Sequence, residues 1–383
     1  MNTERSSILL KGDSCQSLNF SFAFIIMTLS VSPLANLLPS SYIAFKYVFT
    51  FLLSLGLAWW ATPLARSTAL RYNIVDKPDG RLKDHAQPTP YLGGIVVYIS
   101  FLLTLSCLFD FNEKVLGIIL AGSVLVIIGL FDDMQAVTPK VKFLGQLVAI
   151  LVLVKSGIRI ELIALPEWIN LPLTVLWIAG IINALNILDI MDGLAAGVAF
   201  CAALILFLVS ILNGNTMIAI LTLALAGSLL GVLKYNSQPA QIYLGDTGSM
   251  FIGLMLGSLS MIGSYSHHNN LGFVAPLLIL GVPIFDMLFV MVLRYRKGIS
   301  MFLGSKDHFP LRCRKIGFSV KQIVFMSYTA TLLLGGTALW IMYATPFATL
   351  WILAGVAAVV LTIAWKLSQI PMPSNKEIFS KSE

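Results

Sequence analysis

Long apolar stretches alternate with short polar connections along most of this chain. About eleven of these stretches are long enough to cross ~30 Å of hydrocarbon as helices. They lie at 44–65, 91–109, 114–131, 142–155, 172–188, 193–212, 216–233, 247–263, 273–293, 323–343 and 346–366. The pattern therefore predicts an all-α, polytopic membrane helix bundle with about eleven transmembrane helices.

The N-terminal segment fits this pattern less well. Residues 1–17 are polar, and residues 18–38 are apolar but interrupted by serines and Pro33. An extra span, an interfacial segment and an uncleaved leader all stay open, whereas a cleavable signal peptide is disfavoured because its n-region would be long and partly acidic. We divide the chain into an N-terminal extension (1–40), a membrane-embedded domain (41–370) and a tail (371–383).

The composition agrees with a membrane protein. Of the 383 residues, 57% are hydrophobic and 11% are charged, which excludes a soluble domain of this length. The four cysteines show neither paired spacing nor a Cys-x-x-Cys motif, so we expect neither a disulfide framework nor a zinc site. The net charge of +7 forms no basic stripe on a soluble domain, so we expect no nucleic-acid partner.

Basic residues predict the orientation of the bundle. One set of alternate connections carries most of them, including eight between Arg294 and Lys321. The other set carries only Lys46, Lys114, Lys155 and Arg159. Because Lys and Arg concentrate in cytoplasmic loops, the first set and the C-terminus are predicted to face the cytoplasm.

Polar side chains interrupt the fifth apolar run at its predicted cytoplasmic end. Asn183, Asn186, Asp189 and Asp192 follow one another at three-residue spacing, and Gly193 comes next. Polar groups at membrane depth are costly and usually mark function. Since three-residue steps drift by roughly 60° around a straight α-helix, we expect the helix to end here and the side chains to converge on one cavity. Capping of a helix end is the alternative.

Three more carboxylates lie on the same predicted side. Adjacent acids such as Asp132 and Asp133 repel unless a cation or a proton separates them, which favours a metal site or a general base over a solvated helix end. Asp246, in Gly245-Asp246-Thr-Gly-Ser249, is either a site residue or the N-cap of the next helix. Oxygen ligands of this kind suit Mg²⁺ together with a phosphorylated substrate.

Basic side chains near these acids could bind phosphate. Lys83 and His85 lie in the first cytoplasmic loop, and Arg312 and Arg314 lie in the last one. Such residues donate to phosphate oxygens, but they are also ordinary topogenic signals. Asp286 falls within the ninth run, where it must face the bundle interior, and an internal ion pair is its alternative role.

With these stretches aligned, residues from about Phe45 to Lys321 resemble the polyprenyl-phosphate N-acetylhexosamine-1-phosphate transferase superfamily, glycosyltransferase family 4. Each matching block alone is weak evidence for the family. The blocks occur in the family order and all lie on the predicted cytoplasmic side, and this combination is specific. The blocks are Asp76-Lys-Pro through Pro88-Thr-Pro-Tyr-Leu-Gly-Gly94, Gly-Leu-Phe-Asp132-Asp133 with Lys142-Phe-Leu-Gly-Gln146, Asn183 through Leu194, Gly245-Asp246-Thr-Gly-Ser249, Pro283-Ile-Phe-Asp286, and Asp307-His308.

The resemblance implies an enzyme of the bacterial cytoplasmic (inner) membrane whose active site faces the cytoplasm. Such enzymes transfer a sugar-1-phosphate from a UDP-N-acetylhexosamine to undecaprenyl phosphate and release UMP, with Mg²⁺ as cofactor and Mn²⁺ as an alternative. The product would start a cell-envelope polymer such as O-antigen, lipopolysaccharide or teichoic acid. Whether the enzyme forms a homodimer stays open.

The resemblance also implies roles for individual residues. Asp246, Asn186 and Asp133 would bind the metal. The catalytic set would be Asp132, Asp133, Asp189, Asp192 and His308. Substrate would be bound by Lys83, His85, Lys142, Asn183, Tyr243, Asp286, Arg312 and Arg314, with Tyr243 against uracil. Whether Asp132 is a base or only positions metal and phosphate stays open, because a phosphate monoester is already a nucleophile at pH 7.

The chain departs from the family pattern in its last loop. His308 is followed by Phe309-Pro310-Leu311, where many relatives carry a His-x-His-His cluster. We expect N-acetylglucosamine as the sugar, with a dideoxy N-acetylhexosamine still open. A proton-coupled transporter and an inactive lipid-binding member of the family are the rival hypotheses.

Overall fold

The computed structural model describes residues 39–76, 89–108, 112–162, 166–300 and 307–372. Lys83, His85 and the N-terminal segment up to residue 38 lie outside these ranges. The helices are α1 Pro39–Arg71, α2 Gly93–Leu108, α3 Glu113–Met134, α4 Pro139–Lys155, α5 Glu167–Leu188, α6 Leu194–Leu212, α7 Thr216–Asn236, α8 Gly245–Ile262, α9 Ala275–Ile279, α10 Gly281–Arg296, α11 Phe309–Lys315, α12 Val320–Tyr343 and α13 Pro346–Ser368. The chain forms two compact units, and the boundary between them lies inside α1, between Val48 and Phe49. The site described below lies in the second unit, which begins at Phe49.

Each apolar run predicted from the sequence coincides with a helix, and the run 273–293 is a bent pair. In the part of the chain that the structure describes, seven helices are long and apolar enough to cross a membrane alone: α1, α3, α5, α6, α7, α12 and α13. The pair Asn270–Ile279 and Gly281–Arg296, bent by 73°, adds an eighth candidate span. The all-α membrane class is therefore confirmed, while α2, α4 and α8 do not meet the length and composition of an independent span.

Helix α8 lies at the centre of the second unit. Nearly every position from Thr247 to Ser260 is buried, and α8 packs against α2, α3 and α5. The backbone at its N-terminus lies very close to the backbone of α2. A Cβ added to Gly94 would lie only 2.1 Å from the Gly248 amide nitrogen, so glycine is needed there. The Gly94 amide donates to the Leu244 carbonyl at 3.0 Å. The packing therefore fixes where the polar start of α8 lies.

A short antiparallel ribbon closes the base of the first loop. Strand β1 (Val75–Asp76) pairs with β2 (Thr89–Pro90), with Asp76 opposite Thr89. The Tyr243 amide donates to the Pro90 carbonyl at 2.8 Å. The ribbon thus holds Asp76 beside the segment that leads into α8.

The bent pair α9–α10 bears on the transporter hypothesis. Inverted-repeat transporters carry corresponding interrupted helices in both halves, with the binding site near the membrane midplane. In the described ranges, this pair is the one interrupted span. The carboxylates of the site described next come from helix ends rather than helix centres, so nothing in the fold favours a transporter.

Candidate active site

One acidic cavity of about 480 Å³ opens where the C-terminal ends of α3 and α5 meet the start of α8. Among the described residues, six carboxylates line it, together with two tyrosines and two asparagines. The polar lining residues are Asp76, Tyr91, Asp132, Asp133, Asn186, Asp189, Asp192, Asn236, Tyr243 and Asp246. All of them lie on the side that the basic residues predicted to be cytoplasmic.

The centre of the site is an ion-pair cluster that joins four helices. Lys142, on the first turns of α4, places its Nζ 2.9 Å from Asp132 Oδ2 and 2.7 Å from Asp246 Oδ2. The same Nζ lies 3.5 Å from Asn186 Oδ1. The side chains are partly enclosed, with Lys142 16% and Asp246 30% exposed. One cation therefore already bridges the carboxylates of α3 and α8.

Asp133 has a different environment from its neighbour Asp132. Its Oδ1 accepts from the Asp246 amide at 2.7 Å, and its Oδ2 accepts from the Thr247 amide at 3.1 Å and from Thr247 Oγ1 at 2.6 Å. These are donors that a helix leaves unpaired in its first turn. Asp133 therefore caps α8 from outside, and Asp246, which lies inside the first turn, is not the N-cap.

Asn186 connects α5 to the start of α8. Its Nδ2 donates to Asp246 Oδ1 and, at 2.9 Å, to Ser249 Oγ. Because the amide nitrogen faces α8, the Oδ1 atom faces Lys142. Asn186 therefore orients the Asp246 carboxylate, and its own oxygen stays available at the cavity.

The α5–α6 connection carries the other two acids of the polar stretch. Helix α5 ends at Leu188, as the three-residue spacing predicted, and Asp189 and Asp192 line the cavity. Burial raises the pKa of Asp189 above its ordinary value, and the nearby charges of Asp246, Asp133 and Asp192 add to this effect, so that the pKa reaches about 8. Asp192 Oδ2 accepts from the Ala240 amide at 2.9 Å. Among the residues that the structure describes, the cavity thus holds more negative charge than Lys142 balances.

Asp76, Tyr91 and Asn236 are cavity residues that sequence reasoning did not assign to the site. Tyr91 donates a hydrogen bond to Asp76. The pKa of Tyr91 is raised mainly by burial and, to a smaller extent, by this hydrogen bond. The ring of Tyr91 lies 6.3 Å from that of Tyr243, centroid to centroid. Asp76 and Tyr91 belong to the matched first-loop block, so that block was the signal that pointed to them.

Several predicted site residues lie elsewhere. Asn183 does not line the cavity, since its Nδ2 donates to Gln146 Oε1 at 2.9 Å and to the Ala179 carbonyl at 2.7 Å. Arg314 is exposed on α11. Neither residue has a described contact with the six carboxylates.

Asp286, His308 and Arg312 form a separate buried network behind the cavity. His308 Nδ1 lies 2.8 Å from Asp286 Oδ2, and the Phe309 amide donates to Asp286 Oδ1 at 2.9 Å. Arg312 donates to the Leu367 carbonyl at 3.0 Å and to Asp307 Oδ1 at 2.7 Å. In the described structure these contacts join α10, α11 and the end of α13, so the network fits the internal ion-pair alternative for Asp286.

The donor set of the cavity fits a hard divalent cation. Within the described ranges, no three His, Cys, Asp or Glu side chains are arranged to hold a metal ion by themselves. Mg²⁺ usually takes only one or two carboxylates and completes its octahedron with water and substrate phosphates. Asp132 and Asp246, which now share Lys142, together with the Asn186 oxygen, are donors of the required kind.

Comparison with known proteins identifies the family. Residues 115–264 match the model of glycosyl transferase family 4. A protein of Bacillus subtilis (strain 168), named a probable undecaprenyl-phosphate N-acetylglucosaminyl 1-phosphate transferase, is 32% identical over 317 residues, which cover 80% of this chain and 88% of the relative.

Other bacteria contain similar proteins as well. A decaprenyl-phosphate N-acetylglucosaminephosphotransferase of Mycolicibacterium smegmatis is 32% identical over 71% of this chain and 76% of the relative. An undecaprenyl-phosphate alpha-N-acetylglucosaminyl 1-phosphate transferase of Salmonella typhi is 28% identical over 71% of this chain and 78% of the relative. The match to the family model covers the cluster of Asp132, Lys142, Asn186 and Asp246. The chain therefore belongs to glycosyl transferase family 4, the polyprenyl-phosphate N-acetylhexosamine-1-phosphate transferases.

Proposed function

We propose that this protein transfers N-acetylglucosamine-1-phosphate from UDP-N-acetylglucosamine to undecaprenyl phosphate, releasing UMP. The observation that carries the proposal is the cavity itself, in which Asp132, Lys142, Asn186 and Asp246 meet at one end of a membrane bundle. A water-soluble nucleotide and a membrane lipid can meet only at such a boundary. The relatives named above act on polyprenyl phosphates and N-acetylglucosamine, which supports this pair of substrates.

The reaction joins two phosphorylated molecules. An oxygen of the lipid phosphate attacks the β-phosphorus of the nucleotide sugar, the bond from that phosphorus to the bridging oxygen breaks, and UMP leaves with the bridging oxygen. Positioning and charge neutralisation dominate such phosphoryl transfers. The protein's task is therefore to hold two anions together in line.

Lys142 and the carboxylates divide this task. In the proposed complex, Lys142 exchanges part of its contact with Asp132 and Asp246 for a phosphate oxygen, because an ammonium group donates equally well to either anion. Asp133 keeps α8 in place, so Asp246 stays fixed while substrates exchange. Tyr91 and Tyr243 form the aromatic wall on which a uracil ring could stack.

Mg²⁺ is the proposed cofactor, with Asp246, Asp132 and the Asn186 oxygen as its protein donors. When bound, the ion neutralises phosphate charge that the acidic cavity would otherwise repel. Six carboxylates around one cavity would exclude a diphosphate without such compensation. A bound divalent cation would therefore let the acidic cavity hold the phosphates of the proposed substrates.

We further propose that the cavity faces the cytoplasm of the bacterial inner membrane. The distribution of basic residues supports this orientation, because the connections beside the cavity carry most of the Lys and Arg. UDP-sugars are made in the cytoplasm, so the donor would reach the cavity directly. The lipid-linked product would then start an envelope polysaccharide.

A transfer assay tests the proposal. The purified protein is incubated in detergent with Mg²⁺, undecaprenyl phosphate and UDP-N-acetylglucosamine labelled with ³²P at the β-phosphate. The expected result is label that moves into the butanol phase together with release of UMP. UDP-N-acetylgalactosamine and UDP-muramyl-pentapeptide are run in parallel to test the sugar. No extractable label with any donor would leave the inactive lipid-binding alternative.

A further inference from the structure

The connection that carries Asp189 and Asp192 is held in place by a residue far away in the sequence. Gly193 follows Asp192, has a left-handed backbone (φ +75°) and starts α6. Tyr328, on α12, donates its hydroxyl hydrogen to the Gly193 carbonyl oxygen at 2.6 Å. Helix α12 lies outside the segment that matches the family model.

The amide side of Gly193 is held as well. Its N–H donates to Oδ1 of the buried Asn236 at 3.2 Å, and Asn236 Nδ2 donates to the Ile242 carbonyl at 2.9 Å. Both polar backbone groups of Gly193 therefore bond to side chains, one from α7 and one from α12. Because Gly193 is held on both sides and directly follows Asp192, only a few torsion angles remain free between the fixed glycine and the Asp192 carboxylate.

The surface of α6 is shaped to receive the tyrosine ring. A Cβ on Gly197, one turn after Gly193, would lie 1.9 Å from both Cζ and Oη of Tyr328. Only a residue without a side chain at position 197 lets the ring lie flat enough for its hydroxyl to reach the Gly193 carbonyl. Tyr328 therefore contacts α6 in two separate ways, through its hydroxyl hydrogen bond to Gly193 and through the packing of its ring on Gly197.

We propose that Tyr328 is a positioning residue for the transfer reaction, acting through Gly193 to fix Asp189 and Asp192 at the cavity wall. The proposal rests on the function given above, and it adds that these two acids orient the donor nucleotide sugar. Tyr328 itself does not line the cavity. Its removal should therefore change the geometry of the acids without removing any group that touches substrate.

The first test compares two Tyr→Phe variants on the same helix. Tyr328→Phe removes only the hydroxyl, and Tyr343→Phe does the same at an exposed site on α12. We expect Tyr328→Phe to lower kcat/KM for UDP-N-acetylglucosamine by about five- to tenfold, the effect of one hydrogen bond. The unfolding temperature of Tyr328→Phe should fall by no more than a few degrees, the cost of one hydrogen bond. The KM for undecaprenyl phosphate should stay at the wild-type value, as should all parameters of Tyr343→Phe.

The ring contact gives a second, independent test. Gly197→Ala should lower kcat/KM for the nucleotide sugar, because its methyl group displaces the ring. In a Tyr328→Ala background the same Gly197→Ala change should have less than a twofold effect, which a double-mutant cycle detects. Gly336→Ala, at an open position of α12, is the matched control.

Hydrogen exchange separates this inference from the proposed function. Amides of residues 189–197 should exchange at least tenfold faster in Tyr328→Phe than in the wild type and in Tyr343→Phe. An active wild type with unchanged exchange and kinetics in Tyr328→Phe would overturn the positioning role alone. A wild type that is inactive with every donor would overturn the proposed function. Faster exchange in Tyr328→Phe would in that case still show that Tyr328 holds the α5–α6 connection in place. Unchanged exchange would overturn the inference in either case.

Discussion

Lys142 Nζ lies 2.7 Å from Asp246 Oδ2, so the basic residue at the start of α4 neutralises the acidic residue at the start of α8. The same ammonium group is 2.9 Å from Asp132 at the end of α3. Two carboxylates from different helices therefore share one cation in the absence of substrate. This relationship makes Lys142 both a structural partner of the two acids and a candidate donor for an incoming phosphate.

Replacing Lys142 should stop the reaction. Lys142→Met leaves Asp132 and Asp246 facing each other without a cation and removes a phosphate donor, so we expect kcat to fall by at least about 100-fold, the size of a lost electrostatic catalytic contact. The transfer assay measures this effect. Lys140→Met, at an exposed position on the same turn, should keep near wild-type activity. Equal activities of the two variants would remove Lys142 from the site.

Asp133 and Asp132 should respond differently to the same substitution. Asp133→Asn replaces one of the two acceptor oxygens that cap α8 with an NH₂ group that faces other donors, which costs about 1–3 kcal/mol. We expect its unfolding temperature in detergent to fall by several degrees. Asp132→Asn keeps the cap but loses the ion pair with Lys142, so it should lower the unfolding temperature by less than Asp133→Asn does, although it loses activity.

Thr247→Val is the matched variant for this comparison. It removes only the hydroxyl that donates to Asp133 Oδ2, and it should lower the unfolding temperature by less than Asp133→Asn does. If Asp133→Asn unfolded at the wild-type temperature, its capping role would be excluded. Asp133 would then be assigned to the metal site, as the family resemblance predicts.

The fold was largely predictable, because each helix needs its own apolar run. The run 142–155 gave α4 despite its short length, and the end of α5 after Leu188 followed from the spacing of Asn186, Asp189 and Asp192. The local pattern carries this information since a helix is formed from neighbouring residues. The bend of 73° between α9 and α10 was missed, because Gly281 and Pro283 alone do not distinguish a kink from a break.

The site was only partly predictable, because it depends on which helix ends meet. Asn183 lies in the same three-residue pattern as Asn186, yet it turns toward Gln146 on α4. Asp133 lies beside Asp132, yet it faces the amides of α8. Adjacent positions on a helix point about 100° apart, and only the packing of α3 against α8 decides which one reaches the cavity.

The acidic cavity should make stability depend on pH when no metal is present. Because the pKa of Asp189 is raised from its ordinary 3.8 to about 8, the folded protein keeps a proton there that the unfolded chain releases. Stability from this group is present below about pH 4 and is lost as the pH rises toward 8.

The check is the unfolding temperature in EDTA at pH 6 and pH 9. The wild type should lose more stability between these values than Asp189→Asn, which has no carboxyl to titrate. Glu113→Gln, an acid at the opposite end of α3, should behave like the wild type. The same loss in wild type and Asp189→Asn would contradict a raised pKa at this position.

The central claim is that the carboxylate cavity binds one divalent metal together with the phosphates of the donor. Electron paramagnetic resonance of Mn²⁺, used in place of Mg²⁺, measures this directly when UDP-N-acetylglucosamine is present. We expect tightly bound Mn²⁺ with coupling to ³¹P in the wild type and in Glu113→Gln, and a loss of both in Asp246→Asn. Mn²⁺ bound equally well by Asp246→Asn, or bound without ³¹P coupling in the wild type, would contradict it.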